Sequence, residues 1–134
     1  MIEEILTDSS YTLEDFLLDH ALRPRNLGEL TEYNASAMVE SPRCGDVMRV
    51  YLQINEDRII VDARFKVFGC GASIAAGSLT TEEIKGKTIA EDTDLLDTVR
   101  RIFDIAEPKV VTCKQLAPEA VKDALTRYQS SIDL

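Results

Sequence analysis

Val47-Met48-Arg49-Val50-Tyr51-Leu52-Gln53-Ile54, then Asn55-Glu56-Asp57-Arg58, then Ile59-Ile60-Val61-Asp62-Ala63-Arg64-Phe65-Lys66-Val67-Phe68: this stretch decides the fold class. Successive side chains of a strand point to opposite faces. In the first run Met48, Val50, Leu52 and Ile54 share one face, and Arg49, Tyr51 and Gln53 the other. In the second, Ile59, Val61, Ala63, Phe65 and Val67 alternate with Asp62, Arg64 and Lys66. The polar residues between the runs read as a turn. Together they predict an antiparallel hairpin with one apolar and one wet face. A weaker run over 34–40 adds a third strand.

The rest of the chain reads as helix. Leu13, Phe16, Leu17 and Ala21 recur at helical spacing from Tyr11 to about Ala21, and Pro24 ends that helix. Ala72 to Lys85 is rich in small residues and stops at Gly86, a C-terminal capping position. Leu95, Leu96, Val99, Ile102, Phe103 and Ala106 form a 3.6-residue stripe over Asp94 to Ala106. A last helix is expected from near Pro118, with Ala120, Val121, Ala124, Leu125 and Tyr128 on one face. The fold expected is α+β: a small three-stranded antiparallel sheet covered on one face by helices. A length of 134 residues suits one domain over 1–134, with residues 1–10 frayed.

Composition excludes several function classes. With 45% apolar and 29% charged residues the chain reads as soluble and globular rather than disordered. A formal charge of −9 argues against nucleic acid, which needs a basic footprint, and against an anionic membrane surface. No apolar run approaches the roughly 20 residues of a membrane span. The acidic start, Met1-Ile2-Glu3-Glu4, is unlike a basic signal-peptide region, so a cytoplasmic location is expected.

The chemistry-bearing residues are the three cysteines, Cys44, Cys70 and Cys113. An odd number without a C-x-x-C pair speaks against a disulfide framework, a zinc finger or a thioredoxin motif. Inert buried thiols are one reading, because free cysteine is among the most buried residue types. The other is a site assembled in three dimensions. Each cysteine falls at a junction between elements rather than within an apolar stripe. Cys44 and Asp46 flank Gly45, and a bent loop there would let sulfur and carboxylate reach one metal ion. Cys70 stands between Gly69 and Gly71 where strand gives way to helix, and unpaired amides at a helix start stabilise a thiolate. Three thiolates and one carboxylate form a donor set suited to zinc or to an iron–sulfur cluster.

These segments resemble the IscU/NifU N-terminal type of iron–sulfur cluster assembly scaffold. The resemblance is carried by Cys44-Gly45-Asp46, by Phe68-Gly69-Cys70-Gly71-Ala72-Ser73-Ile74-Ala75, and by Cys113 before the last helix. It continues through Asp19-His20, Pro24-Arg25-Asn26-Leu27-Gly28, Asp62-Ala63-Arg64-Phe65-Lys66 and Ile84-Lys85-Gly86-Lys87. The resemblance implies an IscU/SufE-like fold and a carrier rather than an enzyme, one that builds a transient [2Fe-2S] cluster from iron and sulfur. Cys44, Asp46, Cys70 and Cys113 would bind the cluster or iron, and zinc in the empty site. Cys113 would be the persulfide acceptor. The implied partners are a cysteine desulfurase, an iron donor or regulator, and apo iron–sulfur acceptor proteins; assembly as a homo-oligomer stays open.

Two positions depart from the family pattern. Thr112 stands where the family commonly has histidine before the third cysteine, and a hydroxyl is a poor substitute for imidazole toward zinc or iron. Asp46 thereby becomes the natural fourth ligand. Ala106-Glu107-Pro108-Lys109-Val110 keeps one proline of the family's Leu-Pro-Pro-Val-Lys segment, which puts recruitment of an Hsp70-type chaperone in doubt. His20, the lone histidine, is read as structural or surface, and Lys114 as a solvated lysine at a helix start. Two rival readings use the same residues: a SufE-like sulfur acceptor relaying persulfide, and a permanent zinc-binding interaction module.

Overall fold

The structure, a computed structural model, describes residues 13–41, 45–89 and 116–132. Cys44, Thr112, Cys113, Lys114, residues 1–10 and the helix expected over Asp94 to Ala106 lie outside them. The described elements run α1 (Leu13–Leu22), β1 (Ala35–Glu40), β2 (Val47–Ile54), β3 (Ile60–Phe68), α2 (Gly71–Ile84) and α3 (Leu116–Ile132). The strands form one antiparallel sheet in the order β1-β2-β3.

The alternation read in β2 holds on its core side: Met48, Val50, Leu52 and Ile54 are all buried. Ala35 pairs with Leu52 and Ala37 with Val50, and Ala63 and Phe65 complete the inner face from β3. Helix α2 lies over β3, while α3 packs on β1 and β2, and α1 packs on α2. The small residues of α2 allow this close approach. A Cβ at Gly77 would collide with the Phe65 ring, so helix and sheet meet there at backbone distance. Helix α3 begins at Leu116, ahead of Pro118, which falls in its first turn, where a missing N–H costs no intrahelical bond. Its Ala120, Val121, Ala124 and Leu125 enter the core as expected.

Two details of the hairpin differ from the alternation pattern. The strand pairing shifts register between Gln53 and Ile54, so Ile60 sits opposite Ile54 and is fully buried. Val61 is 48% exposed instead of facing the core, and Ile59 leaves the ladder to bridge Thr88. The cause is one extra residue: Gln53 pairs with Asp62 and Ile54 with Ile60, so Val61 has no partner across the ladder and bulges outward. The turn itself closes with Asn55 Oδ1 accepting from the Asp57 and Ile59 amides and Arg58 at a left-handed φ of +63°. On the outer face Tyr51 is buried, because Tyr33 meets its ring edge-on at 5.2 Å and the Arg49 guanidinium lies 5.3 Å from its centre.

The segment after α1 is tied to the opposite edge of the sheet. Phe65 N–H bonds the Asn26 carbonyl at 2.9 Å and Gly28 N–H bonds the Phe65 carbonyl at 2.7 Å. Among the described residues no helix is long and apolar enough to cross a membrane.

Candidate functional site

Gly45, with φ +71°, turns the chain from β1 into β2. The turn closes with Gly45 N–H on the Ser41 carbonyl at 2.9 Å and Ser41 N–H on the Asp46 carbonyl at 2.8 Å. Asp46 is thereby held at the head of β2. Because Val47 pairs with Phe68, the residue before Val47 meets the residues after Phe68. Asp46 and Cys70 come together for this reason, although 24 positions separate them.

The carboxylate of Asp46 reaches the start of α2. Its Oδ2 accepts from the Cys70 amide at 3.1 Å and from the Ser73 hydroxyl at 2.6 Å. Cys70 is the N-cap residue of α2, yet its side chain makes no capping bond. Asp46 supplies from a neighbouring strand the negative charge that a helix start favours. The Ser73 hydroxyl, the Cys70 amide and the Cys70 thiol hold the Asp46 carboxyl below the usual range, against an opposing push from burial. The Cys70 thiol itself is free and exposed, with Sγ 3.7 Å from Ser73 Oγ.

Gly69 makes this contact possible. A Cβ there would lie 2.5 Å from Asp46 Oδ2 and 2.9 Å from Asp46 Cβ, so the whole carboxylate would have to leave. The sequence points to glycines that leave the thiol uncrowded; the geometry shows that Gly69 clears space for the carboxylate, while Gly71 faces open space. Just before Gly69, Phe68 is 82% exposed, so an apolar ring lies beside the site.

Of the expected ligands, the structure brings Asp46 and Cys70 together; Cys44 and Cys113 lie outside the described residues. Among the described residues no group of three His, Cys, Asp or Glu side chains is placed to hold a metal ion. The pair present is an exposed soft sulfur beside an anchored hard carboxylate, a donor combination that suits zinc or iron.

The family model for the NifU-like N terminal domain matches residues 12–133. The chain belongs to that family. It is 42% identical over 122 residues to the iron-sulfur cluster assembly scaffold protein IscU of Escherichia coli (strain K12), covering 85% of this chain and 91% of that protein. The identity to the Azotobacter vinelandii protein of the same name is 40% over 119 residues, covering 86% and 92%. The fold matches the crystal structure of a nitrogen-fixing NifU-like protein (N-terminal) from Brucella abortus with a TM-score of 0.73. That match is at 22% identity and covers 96% of this chain and 97% of the other.

Within this NifU-like domain His20 is structural. It is 1% exposed, its Nδ1 lies 2.6 Å from Ser78 Oγ, and Phe16 meets its ring edge-on at 4.6 Å. Burial above all, and then the Arg25 charge, lower its pKa to about 4, with Asp19 opposing. It is neutral at pH 7 and lies in a different polar cluster from Cys70. The reading of the sequence missed Ser73 and the reason for Gly69. A serine three residues into a helix is an ordinary signal for local capping. Its partner across the fold becomes visible only through the Val47–Phe68 register.

Proposed function

We propose that this protein is an iron–sulfur cluster assembly scaffold, a carrier without turnover of its own, working in the cytoplasm. Its substrates are iron and sulfur, and its product is a [2Fe-2S] cluster handed to apo acceptor proteins. The observation that carries this reading is the exposed Cys70 thiol at a helix start whose own amide anchors the Asp46 carboxylate. Membership of the NifU-like family and the names of the IscU relatives support it. A persulfide relay would need one reactive thiol and would leave the Asp46–Cys70 pair without a purpose.

The roles follow from donor chemistry. Cys44, Cys70 and Cys113 supply thiolates, and Asp46 an oxygen that is mismatched to a soft iron–sulfide core and therefore the readiest to exchange. Sulfur enters when the Cys113 thiolate attacks the outer sulfur of a desulfurase persulfide, and the desulfurase thiolate leaves. Turning that sulfane sulfur into sulfide takes two electrons from an external reductant. Zinc is expected on the same four side chains in the purified protein. The reducing poise of the cytoplasm keeps such thiols free.

The test is reconstitution with ferrous iron and sulfide, read by visible absorption and acid-labile sulfide. Wild type should gain a cluster, and Cys70→Ser should not. Asp46→Cys should hold the cluster longer and deliver it more slowly to an apo-ferredoxin, since four thiolates make a more durable site. Absence of acid-labile sulfide in the wild type would overturn the reading; equal transfer rates would remove Asp46 as the release point.

A further inference from the structure

The two oxygens of Asp46 have different surroundings. Oδ2 accepts both the Ser73 hydroxyl and the Cys70 amide, while among the described residues none donates to Oδ1. Ser73 is fully buried, and its hydroxyl has a single proton. At 2.6 Å that proton is committed to Asp46, because an ionised carboxylate only accepts. Toward Cys70 Sγ, 3.7 Å away, the same Ser73 oxygen is then an acceptor. One hydroxyl thus touches both candidate ligands and fixes which carboxylate oxygen is free.

We infer that Ser73 is a positioning residue of the metal site: by holding Oδ2 it leaves Asp46 a single oxygen, Oδ1, with which to bind. The inference rests on the scaffold reading and deepens it. A carboxylate tied at one oxygen and bound through the other is oriented without chelating. It lets go of the cargo by breaking one bond, while the Ser73 and Cys70 donors keep it at the helix start. Without the hydroxyl, the carboxylate loses its shortest anchor and keeps only the contacts from Cys70, so it can turn and both oxygens can reach the metal.

The experiment uses zinc and Co²⁺ as probes on the whole chain. Partners that orient a metal ligand are worth about 10- to 100-fold in affinity. Ser73→Ala should therefore bind zinc about 10-fold more weakly in a chelator competition. The Co²⁺-loaded variant should show weaker visible ligand-field bands, as a second carboxylate oxygen raises the coordination number. Ser73→Thr, which keeps the hydroxyl, should restore both. A purely structural serine would lower the melting temperature of the metal-free protein and move neither the affinity nor the Co²⁺ spectrum, and that result overturns the inference. Should Ser73→Ala fail to fold, the zinc-loaded wild type still decides. Infrared difference spectra with ¹³C-aspartate must show the wide carboxylate splitting of one-oxygen ligation, absent in Asp46→Cys; a narrow, chelating splitting overturns it. If wild type and Cys70→Ser take up zinc and Co²⁺ identically, the site reading itself fails, an outcome distinct from an inert Ser73.

Discussion

Helix α2 carries two polar clusters, and they are built in opposite ways. Around Ser78, near the middle of the helix, the cluster gathers on one buried oxygen: the Arg25 amide donates to Ser78 Oγ at 2.9 Å, and His20 Nδ1 lies 2.6 Å from the same oxygen, while His20 Nε2 and Arg25 Nη1 are buried with no partner among the described residues. Around Ser73, near the start, the cluster ends in an exposed thiol and in a carboxylate oxygen with no donor among the described residues. Both serines are fully buried, so burial does not distinguish them. The difference is what each hydroxyl serves. One closes a joint between α1, the following loop and α2; the other holds a ligand ready. Polar groups inside a fold cost free energy unless paired. The unpaired nitrogens of the first cluster are buried out of reach, whereas the thiol of the second is exposed to whatever completes the site.

The variant that breaks the contrast most is Gly69→Ala. Its Cβ would occupy the position of the Asp46 carboxylate, so metal and cluster capture should be abolished while the helix content seen by circular dichroism is kept. Capture equal to wild type would mean that the anchored carboxylate is not part of the site.

The cluster around His20 should respond to pH instead. His20 has a pKa of about 4 in the fold, against an ordinary value of 6.5. Between these values the unfolded chain binds the proton and the folded one does not. Stability is therefore complete above about pH 6.5 and lost as pH falls toward 4. Between pH 7.5 and pH 5 the loss should be about 2 kcal/mol, and His20→Gln should remove most of it. Urea melts at the two pH values check this. A wild type as pH-sensitive as the glutamine variant would assign the effect to other groups.

The smallest expected effect is that of Ser78→Ala, about 1–2 kcal/mol, from stranding a buried amide and an imidazole nitrogen. Zinc affinity should stay unchanged. A loss of affinity as large as that expected for Ser73→Ala would show that the two clusters act as one unit.

Much of the architecture was readable along the chain because period and burial coincide there. The strand Val47–Ile54 appears with the predicted ends, and β1 and α2 within one residue of theirs. Where the reading slipped, a bulge was responsible: the extra residue Val61, between the Gln53–Asp62 and Ile54–Ile60 pairs, puts Ile60 into the core and leaves Val61 outside. Tyr51 looked wet because alternation says which face a side chain takes, but not whether Tyr33 and Arg49 lie over it. The candidate site was partly readable. Asp46 and Cys70 were chosen for donor chemistry and for their places at junctions, whereas Cys44 and Cys113 fall outside the described residues.

By itself, then, the amino-acid order determined what depends on neighbours along the chain: the alternating strands, the small-residue helix, and the soft and hard donors at element ends. Only the tertiary structure decided which of those donors meet. The pairing of Val47 with Phe68 brings Asp46 to the start of α2, and the missing side chain of Gly69 lets the carboxylate through. Ser73, 27 positions from Asp46, then decides which oxygen stays free. Contacts of that kind come from strand register and from the room left between packed elements. Both are settled by the whole chain at once, and no local pattern carries them.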